Sequence, residues 1–125
     1  VAIASRTAAV VENLAARLGI AVASTDWRAT LAALKPDIVA VATPGDSHAE
    51  IIDAALAHRA HLYVDKPFAP TAAEARRLWR AVQAAGVKAV RPRYVGRKPA
   101  AAPATGFHAR HLQEMNALIA EALAG

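Results

Sequence analysis

The chain has 125 residues, 55% of them hydrophobic, which is the size and apolar content of one domain with a core of its own. It contains no cysteine, which removes disulfide frameworks, zinc ribbons and thiol nucleophiles from consideration. The formal net charge is +5, but the basic residues are scattered over helices and loops, and the densest cluster, Arg91 to Lys98, has a single interleaved aromatic, Tyr94. Solvated helix faces and a basic linker are expected, not a nucleic-acid surface.

Val1 to Ala4 reads as a short apolar strand. Val11, Leu14, Ala15 and Leu18 then recur at helical spacing, and Gly19 stands where a helix ends in a left-handed residue. Ile20 to Ala23 is a second short strand. Asp26 can cap the next helix, whose Trp27, Leu31 and Leu34 share a face and which Pro36 stops. Ile38 to Ala42 follows as a buried strand, then the polar loop Thr43-Pro44-Gly45-Asp46-Ser47-His48. Ser47 and Glu50 have the spacing of a capping box for a helix that buries Ile52, Ala55 and Leu56. His61 to Val64 is a further strand, ending in Asp65-Lys66-Pro67. Thr71 and Glu74 form a second capping box, opening a helix with Ala75, Leu78, Trp79 and Val82 on one face and an end near Gly86. Val87 to Val90 is the last strand. This alternation predicts an α/β fold, a parallel sheet of about five strands with right-handed crossovers and helices on both faces.

Three Pro residues interrupt Arg91 to Gly106, so residues 91–106 read as a Pro/Ala-rich linker between a domain over 1–90 and an amphipathic helix over 107–125, with Leu112, Met115, Ile119 and Leu123 on one side. That helix is expected to pack back on the domain. No apolar run approaches the roughly 20 residues needed to span a bilayer, and no signal-peptide pattern opens the chain, so a cytoplasmic protein without membrane contact is expected. His108 and His111 share a helix face, but with no third ligand no metal site is expected; His58 and His61 carry no motif.

Ligands of open α/β sheets bind beyond the carboxyl ends of the strands. Two adjacent strands here end in Thr43-Pro44-Gly45-Asp46-Ser47-His48 and in Asp65-Lys66-Pro67. These loops resemble the hallmarks of the Gfo/Idh/MocA oxidoreductases (the glucose–fructose oxidoreductase and inositol dehydrogenase group), a Thr-Pro-Asn-x-x-His motif followed by a Glu-Lys-Pro motif. The resemblance covers about Val1 to Val90 and implies a Rossmann-like dinucleotide-binding unit. It implies that Thr43, Pro44, His48, Asp65 and Lys66 contact the cofactor, and that the Asp65-Lys66 turn carries the chemistry. His48 opens the following helix, where the helix N-terminus disfavours a cation and favours a neutral hydrogen-bonding group. Lys66 would hydrogen-bond a substrate hydroxyl and help move its proton, and its peptide with Pro67 would often be cis. Gly45 stands where the family has asparagine, which should loosen the loop. Ser5-Arg6 ends the strand that meets the adenosine ribose; with no carboxylate there, a guanidinium facing the 2′-phosphate implies NADP over NAD. Each position also has a plainer reading: Arg6 as an exposed residue before a helix, His48 as a partly buried helix-start residue, Asp65-Lys66-Pro67 as a surface turn.

The sequence departs from the family in having no Gly-x-Gly-x-x-Gly turn and in beginning inside what would be the second strand. A partial Rossmann unit has open strand edges, which a second copy or a partner chain could fill. Two functions follow: an NADP-dependent oxidoreductase unit acting on a sugar, polyol or similar hydroxylated small molecule, or a truncated non-catalytic module for nucleotide binding or assembly. In the first, Lys66 and His48 should lie near each other at adjacent strand ends.

Overall fold

The computed structural model describes residues 1–90, so the expected linker and terminal helix lie outside the described residues. Within 1–90 the elements alternate as the sequence pattern predicts: β1 (Ala2–Ala4), α1 (Ala8–Leu18), β2 (Val22–Ser24), α2 (Trp27–Leu34), β3 (Ile38–Val41), a 3₁₀ turn (Gly45–Ser47), α3 (His48–Ala57), β4 (His61–Val64), α4 (Ala72–Ala85) and β5 (Ala89–Val90).

Local chemistry sets most of the boundaries. The Asp26 carboxylate accepts from the Ala29 amide at 3.0 Å and the Thr71 hydroxyl from the Glu74 amide at 3.2 Å, so both satisfy donors left over at a helix start. Gly19 and Gly86 end α1 and α4 in the left-handed conformation, at φ 66° and 67°, as a residue without Cβ does at little steric cost. Ahead of Pro36, Lys35 closes α2 with a φ of 44°.

Ser47 departs from expectation. It adopts helical backbone angles and its side chain caps nothing, because the 3₁₀ turn runs straight into α3 and the Ser47 amide already bonds Pro44 O at 3.0 Å. Its hydroxyl turns back to Thr43 Oγ1 and Pro44 O, both at 2.8 Å. Glu50 pairs instead with Arg28 of α2, whose guanidinium also lies over the Trp27 ring at 4.3 Å.

Every strand pairing is parallel, but the five strands form two sheets. β1 pairs with β2, and β3, β4 and β5 pair in that order. One sheet of about five strands was the expectation; among the described residues no strand bonds the second edge of β1 or of β3 to join the two sets. Val11 and Ala15 of α1 are buried, as is Leu31 of α2. The larger core joins Val41, Leu62 and Val64 of the three-stranded sheet to Ile51, Ile52 and Ala55 of α3 and Leu78 and Val82 of α4. Asp53 and Arg77 clamp α3 to α4 through two hydrogen bonds of 2.9 and 3.1 Å, which raise the Arg77 pKa. Trp79, expected on the buried face of α4, is 49% exposed, since Leu78 and Val82 fill the contact with the sheet. Leu18 and Leu34 are likewise exposed.

Candidate functional site

The pairing register builds the site. Val41 of β3 stands opposite Val64 of β4, and the Asp65 amide continues the ladder to Val41 O at 2.9 Å. Two residues beyond the Val41–Val64 pair stand Thr43 on one strand and Lys66 on the other, so the two motif loops leave the sheet side by side. They also touch. The Lys66–Pro67 peptide is cis, and Gly45 packs on the Pro67 ring so closely that a Cβ at position 45 would lie 2.9 Å from Pro67 Cγ. Gly45 therefore does not loosen the loop; its missing side chain lets one loop seat on the other.

Thr43, Pro44 and Lys66 are exposed and Asp65 half-buried at this edge. The Asp65 carboxylate accepts from the Lys66 amide at 2.7 Å, which ties the start of the turn to its own side chain. Ser5 and Arg6 lie immediately beyond β1, with the Ser5 amide bonded to Ser24 O at 3.1 Å. Arg6 is exposed, and the first turn of α1 carries no acidic residue.

His48 sits differently from these. Its side chain is fully buried, and it and Tyr63 bring buried polar side-chain atoms into the described residues. It heads the stripe His48, Ile51, Ile52 and Ala55 that α3 turns to the core, a run at i, i+3, i+4 and i+7 that the sequence displays. Its Nε2 lies 2.7 Å from Thr43 O. A carbonyl can only accept, so Nε2 carries a proton and donates it to Thr43 O. The ring thus reaches the site through Thr43, not through its own surface. Sequence reasoning missed this bond, the Ser47–Thr43 bond and the Gly45–Pro67 contact; the apolar stripe continuing back to position 48 was the available signal for the first.

His61 stands at the opposite end of the sheet, its Nδ1 accepting the amide of Lys88, the residue just before β5, at 3.1 Å. His108 and His111 lie outside the described residues. None of the described helices is long and apolar enough to cross a membrane.

Residues 1–93 match a family described as an oxidoreductase family with an NAD-binding Rossmann fold, GFO_IDH_MocA. A second profile, 2-oxoglutarate dehydrogenase C-terminal, matches 72–123, under half of the chain; within it α4 buries Leu78 and Val82 in the same core as β3 and β4. No curated protein matches the chain. Among solved structures, an NAD binding oxidoreductase from Klebsiella pneumoniae is 33% identical with a TM-score of 0.67, over 73% of this chain and 24% of its own. A levoglucosan dehydrogenase in complex with NADH and levoglucosan is 29% identical, TM-score 0.65, over 70% and 24%. A 3-ketoreductase from Actinomadura kijaniata in complex with NADP and TDP-benzene is 30% identical, TM-score 0.65, over 72% and 27%. The chain spans about a quarter of the length of these relatives. Because the family match takes in both sheets and both motif loops, the chain belongs to the Gfo/Idh/MocA oxidoreductase family, and its described residues form a Rossmann unit of the nicotinamide-dinucleotide-binding kind.

Proposed function

We propose that this unit serves an NADP-dependent oxidoreductase acting on the hydroxyl of a sugar, a polyol or a similar small molecule. The observation that carries the reading is the placement of Thr43 and Lys66 level with each other beyond paired parallel strands, with Gly45 seated on Pro67. That is where an open α/β sheet receives its ligand. The residues present suit a dinucleotide. Ser5 and Arg6 offer a hydroxyl and a planar guanidinium with no carboxylate in the adjoining turn, a donor set matched to a 2′-phosphate. Thr43 and Pro44 would lie against the nicotinamide half, and Asp65 shapes the turn that presents Lys66.

When bound, the nicotinamide supplies the hydride acceptor. The protein's part is then at Lys66 Nζ, which would hydrogen-bond the substrate hydroxyl and help move its proton toward solvent as the C–O bond becomes a carbonyl. His48 supports Thr43 from behind the loop. A cytoplasmic setting fits this reading.

Calorimetric titration with NADP and NAD tests the cofactor choice. NADP should bind more tightly, and Arg6→Ala should remove the preference; equal affinities, or an unchanged NADP affinity in the variant, would overturn it. The pyrophosphate turn is not among these residues, so both affinities should be weak. A second reading, a non-catalytic assembly or nucleotide-binding module, is favoured by the edges of β1 and β3 that no strand pairs among the described residues, which are templates for a strand from a second copy or a partner. Sedimentation showing a stable oligomer or hetero-complex, with no dinucleotide binding, would select it.

A further inference from the structure

An imidazole at the head of an apolar stripe is expensive to bury, and a leucine would complete the stripe of Ile51, Ile52 and Ala55 more cheaply. What the imidazole adds is one hydrogen bond, and that bond goes to the loop, at Thr43 O, not to the core. Thr43 is held at its other end too, by the Ser47 hydroxyl 2.8 Å from its Oγ1. Ser47 and His48 are consecutive, so the start of α3 grips both the carbonyl and the side chain of the same residue. The gripped loop continues into Gly45, which bears on the Pro67 ring next to Lys66.

From this chain of contacts we infer that His48 is a positioning residue for the proposed site. As the Nε2–H tautomer it fixes the Thr43 carbonyl, and through the Gly45–Pro67 contact it sets where Lys66 stands relative to Thr43. It touches neither cofactor nor substrate. The inference rests on the proposed function for the meaning of Thr43 and Lys66, but its geometry can be judged without any ligand.

The tautomer comes first. A two-bond proton–nitrogen correlation spectrum of the labelled chain should show the His48 proton on Nε2; a proton on Nδ1 alone would overturn the inference. In His48→Leu the Thr43 and Lys66 amide cross-peaks should both move. In His48→Gln, whose amide NH₂ can again donate to Thr43 O, both should return toward their wild-type positions. Loss of the ring current is common to both variants, so recovery in the glutamine variant isolates the hydrogen bond. A leucine variant that lowers only the melting midpoint and leaves the Lys66 cross-peak in place would reduce His48 to a core residue and overturn the inference. Should that variant not fold, His48→Asn, whose amide is too short to reach the carbonyl, should move the same two cross-peaks, and their failure to move counts equally against it. NADPH binding should weaken by about tenfold in the leucine variant, the upper scale of one lost hydrogen bond, and recover in the glutamine variant. Wild-type protein that binds no NADPH would refute the cofactor reading while the cross-peaks still decide the role of His48.

Discussion

Replacing Gly45 with the family's own asparagine, or with alanine, should destabilise this protein. A Cβ at position 45 would stand 2.9 Å from Pro67 Cγ and 3.3 Å from Pro67 Cδ, where ordinary contact begins at 3.4 Å. The loops must therefore part by about half an ångström, and the obstacle is a ring, not the far end of a flexible side chain. Overpacking of this kind costs roughly 1–3 kcal/mol. Gly45 is not in the left-handed region, so the new residue returns about 0.4–1 kcal/mol by narrowing the unfolded ensemble. The difference leaves a net loss of about 1–2 kcal/mol. In a unit of this size that lowers the melting midpoint by roughly 5–15 °C, read by far-ultraviolet circular dichroism. A double-mutant cycle with Pro67→Ala identifies the cause. With the ring removed, Gly45→Ala should cost much less, giving a coupling of about 1 kcal/mol. A midpoint for Gly45→Ala at or above wild type, or strict additivity with Pro67→Ala, would refute the idea that this contact seats one loop on the other.

Leu78→Ala empties the centre of the larger core and should cost about 2–5 kcal/mol in urea unfolding, far more than any surface change on α4. Asp26→Ala removes the cap on α2 and should cost about 1 kcal/mol by the same measurement; no change would mean that α2 is held by its packing alone. Catalysis by the 125-residue chain alone should be slight or absent, because holding cofactor and substrate in register is worth roughly 7–11 kcal/mol of barrier, and these residues hold neither partner fully. Robust NADPH formation with a polyol, abolished by Lys66→Ala, would show that expectation wrong.

The readings that held are those whose cause is local. Asp26 and Thr71 cap helices because each carboxylate or hydroxyl meets an amide three residues on, and Gly19 and Gly86 end helices because a left-handed residue suits glycine. The strand His61 to Val64 was legible because its apolar run is bounded by turn residues on both sides. Ser47 shows where local reasoning stops. Its spacing to Glu50 is that of a capping box, yet a preceding 3₁₀ turn and the nearby Arg28 take both partners away.

By itself the sequence determined the order of parallel strands and helices, the two motif loops, and the family to which they belong; each depends on residue type and on spacing over a few positions. Only the tertiary structure decided that the strands divide into two sheets, that Trp79 faces outward, that His48 is buried behind Thr43, and that Gly45 bears on Pro67. Those outcomes depend on which strands are present to pair, on how much of a helix face the core can accept, and on a register that brings distant residues level. Residue type and spacing along the chain specify none of these until the strands have paired.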